Sequence, residues 1–171
     1  MKIIETDRLI LRLLTIDDAA FILKLLNDPT WKQFIGDKGV NTLEDARNYI
    51  LTGPITMYSQ LGYGLYLVEL KESKIPIGLC GLIKRESLED TDIGFAFLSE
   101  YQSKGHAYEA ASATLSYGCN QLNLKRIVAI TSKDNELSSK LLKKIGMNVE
   151  QVITPADGSE ELDLFSYSQP R

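Results

Sequence analysis

Six consecutive residues, Gln102-Ser103-Lys104-Gly105-His106-Ala107, carry the densest chemical signal in the sequence. Upstream, Thr91 to Leu98 alternates as a strand does, with Ile93, Phe95 and Phe97 on one face. Downstream, the chain to Asn120 is free of proline and rich in alanine, which suits a helix. A strand that turns through glycine into a helix aims free backbone N–H groups and the positive end of the helix dipole the same way. Such a turn binds an anion, and a phosphate above all. Gly105 lets the backbone come close to that ligand, and Lys104 adds a positive charge. The segment is neither G-x-x-x-x-G-K-[ST] nor G-x-G-x-x-G, so the usual mononucleotide and dinucleotide loops are not supported.

The elements that must position this turn follow from periodicity and punctuation. Arg8 to Leu13 alternates as a strand, Leu9, Leu11 and Leu13 against Arg8, Ile10 and Arg12. Thr15 with Asp18 forms a capping box for a helix from Ile16 to about Leu26, stopped by Asn27-Asp28-Pro29. Trp31 to Asn41 reads as a loop with aromatic character. Thr42 and Asp45 open a second helix to about Leu51, which Gly53-Pro54 is expected to break before a short third helix, Ile55 to Leu61. Tyr63 to Leu70 and Ile75 to Lys84 form a hairpin, with Gly78 and Gly81 marking a bulge or a close backbone contact.

After the central turn and helix, Arg126 to Ile130 is a buried type of strand. Thr131 to Asp134 is a loop, and Asn135 caps a helix to Ile145 with Leu137, Leu141 and Ile145 as its buried stripe. Gly146 supplies the left-handed end. Met147 to Ile153 and Leu162 to Tyr167 make a last hairpin around Pro155-Ala156-Asp157-Gly158. The expected fold class is α/β (α+β): one domain over residues 1–171, a mixed, mostly antiparallel sheet of about seven strands flanked by about four helices.

Composition narrows the function classes. Apolar residues are 44% of the chain, and its 19 basic and 23 acidic residues leave a net charge of −4. A surface made to neutralise phosphates along a nucleic acid needs the opposite balance. Cys80 and Cys119 lack metal or redox spacing and read as reduced, buried small hydrophobes. Met1 to Asp7 has no apolar leader core and no apolar run is long enough to span a membrane, so a cytoplasmic protein is expected.

Three segments resemble, in order, the GNAT N-acetyltransferase superfamily, and specifically its RimJ/RimL-like branch. Thr6-Asp7-Arg8-Leu9-Ile10-Leu11-Arg12 followed by Asp17-Asp18 resembles the T-x-R-L-x-L-R…D start. Asp92-Ile93-Gly94-Phe95 with the loop from Gln102 to Ala107 and Glu109-Ala110 resembles the coenzyme A motif, Q-x-x-G-x-A. Asn135-Glu136-Leu137-Ser138 and Lys144-Ile145-Gly146-Met147 resemble the N-x-x-S…K-L-G-F helix, with Met147 in place of the aromatic residue. The tyrosine that protonates the leaving thiolate in many members is replaced by Leu142.

The resemblance implies attack of a neutral primary amine on the thioester of acetyl-CoA, with no metal. The diphosphate falls to Gln102, Ser103, Lys104, Gly105, His106 and Ala107, and the pantetheine arm to the gap between the strands ending near Leu98 and Ile130. A backbone N–H at Phe97 or Leu98 faces the thioester oxygen, Asn135 contacts the cofactor, and Ser138 contacts it and is the candidate proton donor to the thiolate. The candidate bases, acting through water, are Asp92 and Glu69, with Glu160 and Glu161 on the last hairpin. Asp92 has a plainer alternative, pairing with Arg85 or Lys84, and Trp31, Phe34, Tyr58 and Tyr63 line the acceptor cleft or pack the core.

The expected acceptor is a protein N-terminal α-amine. Its pKa of about 7.7–8.0 lies roughly 2.5 units below that of lysine, so deprotonation costs about 3.4 kcal/mol less, and the single histidine, His106, sits in the phosphate loop. The alternatives are a small amine such as a polyamine or an antibiotic, and a non-catalytic acyl-CoA-binding module. The expected assembly is a monomer or homodimer, without nucleic acid or membrane partners.

Overall fold

The structure, a computed structural model, describes residues 1–30, 39–85, 88–155 and 160–168. Its centre is an eight-stranded sheet in the order β1-β2-β3-β4-β5-β6-β8-β7. The strands are β1 (Lys2–Glu5), β2 (Leu9–Arg12), β3 (Leu65–Leu70), β4 (Pro76–Ile83), β5 (Asp92–Phe97), β6 (Arg126–Ser132), β7 (Asn148–Ile153) and β8 (Leu162–Ser168). Every neighbouring pair is antiparallel except β5 and β6, which run parallel and meet only at Asp92 and Val128. Beyond that point the two strands part, and the sheet opens between them.

Helices cover both faces, each burying one stripe. On one face lie α1 (Ala19–Leu26) and α2 (Leu43–Ile50), whose Phe21, Ile22, Leu25, Leu26, Ala46 and Ile50 pack on Leu67, Leu79, Ala96 and Leu98. On the other, α4 (His106–Asn120) and α5 (Glu136–Lys144) set Ala110, Ala111, Leu115 and Leu142 against Tyr66, Val68, Ile93 and Phe97. Neighbouring residues of β3 and of β5 thus serve opposite cores, as the two-residue period of a strand requires. Cys80 and Cys119 are free and buried on the α4 side. Among the described residues no helix is long and apolar enough to cross a membrane.

The structure departs from the sequence reading at three places. Strand β1 was not expected; it is four residues long, at the sheet edge and only partly covered, so it shows little hydrophobic contrast. Its presence places β2 inside the sheet, paired on both sides, and Ile10 is buried along with Leu9 and Leu11. Gly53-Pro54 does not break the second helix: a π-helical turn, Leu51–Ile55, carries it into α3 (Thr56–Leu61). A wider turn keeps the Pro54 ring off the carbonyl one turn back. In α5 the buried residue is Leu142, while Leu137 is 66% exposed. The expected loops at residues 31–38 and 156–158 lie outside the described residues.

The polar residues of the opening motif tie the chain ends of the core together. Arg12 is bound by Asp18 at 2.8 Å and Glu69 at 3.1 Å. Glu109, in the first turn of α4, accepts Thr6 Oγ1, the Arg8 N–H at 3.0 Å and Arg8 Nε at 2.7 Å.

Candidate active site

The glycine turn that opens α4 forms where it was expected. Ser103 and Gly105 both adopt left-handed backbone, at φ 62° and 84°, and α4 begins at His106. Alternating left- and right-handed residues point successive N–H groups into one concavity. Among the described residues none accepts the backbone N–H of Ser103, Lys104, Gly105, His106 or Ala107. Gln102 has a different part: its N–H goes to the Ser99 carbonyl at 3.2 Å and its side chain donates to the Phe97 carbonyl at 3.1 Å, so it braces the turn. The His106 ring is buried with Nδ1 3.4 Å from the Tyr101 carbonyl, and Lys104 Nζ lies over the Tyr101 ring.

Arg8, read in the sequence only as part of a motif, completes the turn. Its Nη1 donates to the Lys104 carbonyl at 3.1 Å, and a Cβ at position 105 would sit 3.2 Å from its Nη2. Arg8, itself paired with Glu109, therefore braces the turn from its carbonyl side. Glycine is required at 105 twice over, by its positive φ and by that approach.

Two cavities meet where β5 and β6 separate. The first, about 370 Å³, runs from the turn (Gln102, Ser103, Gly105, Ala107) past Phe95 and Phe97 to the exposed face of α5, where Leu137, Leu141 and Lys144 line it. The apolar stripe read on that helix is real in its period, but Leu137 and Leu141 face this cavity. The second, about 430 Å³, lies between β5 and β6 and is lined by Asp92 to Ala96, Ala129 to Ser132, Tyr49, Arg85 and Leu142. Phe95, Ala96, Asn135 and Ser138 belong to both. Asn135 caps α5 by accepting the Ser138 N–H at 3.1 Å.

The separated edge of β5 carries unused backbone. Leu98 cannot supply the oxyanion donor, because its N–H is bound by the Ile77 carbonyl of β4 at 3.0 Å. Strand alternation turns the Phe97 N–H the other way, toward the opening.

Asp92 is the polar centre of the second cavity. Its side chain is 1% exposed, Oδ2 accepts Arg85 Nε at 3.1 Å, and Oδ1 has no partner among the described residues. Burial pushes its carboxyl up to about 6, against the opposing pull of Arg85. The sequence alternatives of base and Arg85 partner are thus compatible, one for each oxygen. Ser132 Oγ, which sequence reasoning passed over, is likewise buried and unpartnered in this cavity.

The other candidates are placed elsewhere. Glu69 lines neither cavity and is held by Arg12. Glu161 pairs with Lys133 at 3.2 Å, and Glu160 is exposed. Tyr58 bonds the Leu65 carbonyl and stacks on Tyr66, while Tyr63 bonds Thr91 at 2.8 Å. Trp31 and Phe34 lie outside the described residues.

Residues 8–148 match the model of the acetyltransferase (GNAT) domain. The chain belongs to the GNAT acetyltransferase family. An uncharacterized N-acetyltransferase of Bacillus subtilis, YoaA, is 33% identical over 179 residues, spanning 99% of this chain and 98% of its own. Spermidine N(1)-acetyltransferase of Escherichia coli K12 is 41% identical over 51 residues, 30% of this chain and 27% of its own. Among solved structures, RimL, a ribosomal L7/L12 α-N-protein acetyltransferase in complex with coenzyme A, superposes with a TM-score of 0.84 over 98% of both chains. At 16% identity that likeness shows the fold alone. The chain is accordingly an N-acetyltransferase of this family, with the sheet and helices described above.

Proposed function

We propose that this GNAT enzyme, acting through residues 1–171 as one catalytic domain, moves the acetyl group of acetyl-CoA onto a primary α-amine by direct attack on the thioester. One observation carries the reading. Two cavities join at the parting of β5 and β6, one rimmed by spare amides with Lys140 and Lys144 on its lining, the other holding a buried carboxylate oxygen without a partner among the described residues. The first suits a diphosphate and a long apolar arm, and the second suits an amine that must lose a proton.

The roles follow from position. The amides of Ser103 to Ala107, in a turn that Arg8 braces, hold the diphosphate, while Leu137 and Leu141 cover the arm. The Phe97 N–H supports the carbonyl oxygen as it gains charge, worth about 3 kcal/mol for a well-placed donor. Asp92 Oδ1 takes the amine proton, directly or through one water, as the C–N bond forms. A carboxyl titrating near 6 is ionised at neutral pH and more basic than an ordinary aspartate. As the C–S bond breaks the thiolate needs a proton, and Ser138, shared by the two cavities, is the hydroxyl in place. Leu142, one turn on, is buried and has no proton to give.

The test is thiol release from acetyl-CoA with a panel of peptides bearing free N-termini and of small amines, alongside calorimetric binding of acetyl-CoA. Turnover of an α-amine acceptor supports the reading. Tight acetyl-CoA binding without turnover of any amine would replace it with a non-catalytic acyl-CoA-binding module.

A further inference from the structure

The second cavity has a wall that the transfer chemistry leaves unused. Arg85 donates only Nε to Asp92; both of its terminal nitrogens have no partner among the described residues, and its side chain is 43% exposed. Tyr49 of α2 lines the same cavity close enough for the Arg85 charge to act on its hydroxyl, which has no hydrogen-bond partner among the described residues. A guanidinium fork whose two ends have no partner among the described residues, beside a phenol hydroxyl, offers donors to a bound acceptor. It matches the planar pair of oxygens of a carboxylate. Among the described lining residues Arg85 is the only cation and Asp92 the only acid. An acceptor with a second ammonium group would therefore meet Arg85 and, among the described residues, no second carboxylate, which works against polyamines.

We propose that Arg85 and Tyr49 read a carboxylate on the acceptor, so that the substrate class is a primary amine with an acidic group a few bonds away, such as a peptide beginning with Asp or Glu. The inference rests on the acetyl-transfer reading and adds the acceptor's charge to it. Asp92 receives the amine at Oδ1 while its other oxygen is held by the residue that binds the acceptor's anion, so binding and deprotonation share one ion pair.

Matched acceptors test this in the full-length enzyme: short peptides beginning with Asp or Glu against the same peptides beginning with Asn or Gln, and spermidine, each followed by thiol release. The wild type should favour the acidic member by about tenfold in kcat/KM. Arg85→Gln should bring the acid-to-amide ratio close to one, and Tyr49→Phe should lower it a few-fold. The ratio is the readout because removing Arg85 also perturbs Asp92, and that perturbation cancels between two acceptors compared in one variant. Arg85→Lys keeps the charge but not the fork, and should retain only part of the preference. Circular dichroism confirms that each variant is folded. A wild-type ratio near one, a ratio unchanged in Arg85→Gln, or a preference for spermidine overturns the inference while leaving acetyl transfer standing. Failure of every amine to release thiol would bring down the transfer reading itself, and this inference with it.

Discussion

The two cavities that meet at Asn135 and Ser138 are built from different materials. The first is made of backbone: amides of Ser103 to Ala107 from one turn and one helix start, with Arg8 and Glu109 holding them. The second is made of side chains from separate elements: Tyr49 of α2, Arg85 after β4, Asp92 of β5, and Ser132 of β6. On the proposed reading the backbone cradle takes the part common to every acyl-CoA, and its strictest side-chain demand is at Gly105, with Gln102 and Arg8 as braces. A side-chain wall can be altered one residue at a time without disturbing the cradle. On the proposed reading cofactor and acceptor recognition are separable, and variants can break or sharpen that division.

The largest effect should fall on the second cavity. Asp92→Asn removes the unpartnered oxygen and should lower kcat/KM for the amine by about 10² to 10⁴, while calorimetry shows acetyl-CoA affinity little changed. In the wild type, kcat/KM should fall as pH drops below about 6, where Asp92 takes up its proton. The mirror experiment is Gly105→Glu, which places a side chain on left-handed backbone and a negative charge beside the amides. It should weaken acetyl-CoA binding by on the order of 100-fold, and retained affinity would sink the assignment of this turn.

Asp92 also makes a stability prediction. Its carboxyl is raised from 3.8 to about 6, so the folded state binds the proton more tightly than the unfolded chain. The stabilisation this gives is fully present below about pH 4 and is lost as pH rises through about 6. Denaturant titrations should show Asp92→Asn gaining on the wild type by roughly 2–3 kcal/mol over that interval, the free-energy equivalent of the carboxyl's raised affinity for its proton. Equal pH slopes would mean that the carboxylate is better solvated than its burial indicates.

At the junction, Ser138→Ala should lower kcat by about tenfold without raising the KM for acetyl-CoA. A change confined to KM would assign Ser138 to binding. The smallest effect is expected from Arg8→Ala. Arg8 is half exposed, so loss of its support should raise the acetyl-CoA KM only a few-fold, with kcat unchanged. If the amine's KM moved instead, the two cavities would not be independent.

What could be read from residues alone tracks this same division. The turn was legible because its chemistry is local: Gly105 sets the backbone, and the amides follow from where the helix starts. The caps at Thr15, Thr42 and Asn135 were legible for the same reason. Leu137 and Leu141 were placed on one helical face correctly, but periodicity cannot tell a face that packs on protein from one that lines a groove. Glu69 was a candidate because its strand borders the site; its side chain instead meets Arg12, a partner 57 residues away.

The sequence by itself determined the fold class, the phosphate-type turn and its family, because each rests on short-range pattern: alternation, caps, and one glycine at one place. Only the tertiary structure decided that β5 and β6 part after a single paired position, that Leu98 is bound while Phe97 faces the gap, and that Arg85 keeps two donors without a partner among the described residues beside a buried carboxylate. Those facts depend on strand register and on which side chains converge across the sheet. Neither is fixed by neighbours in the chain; both are fixed by packing.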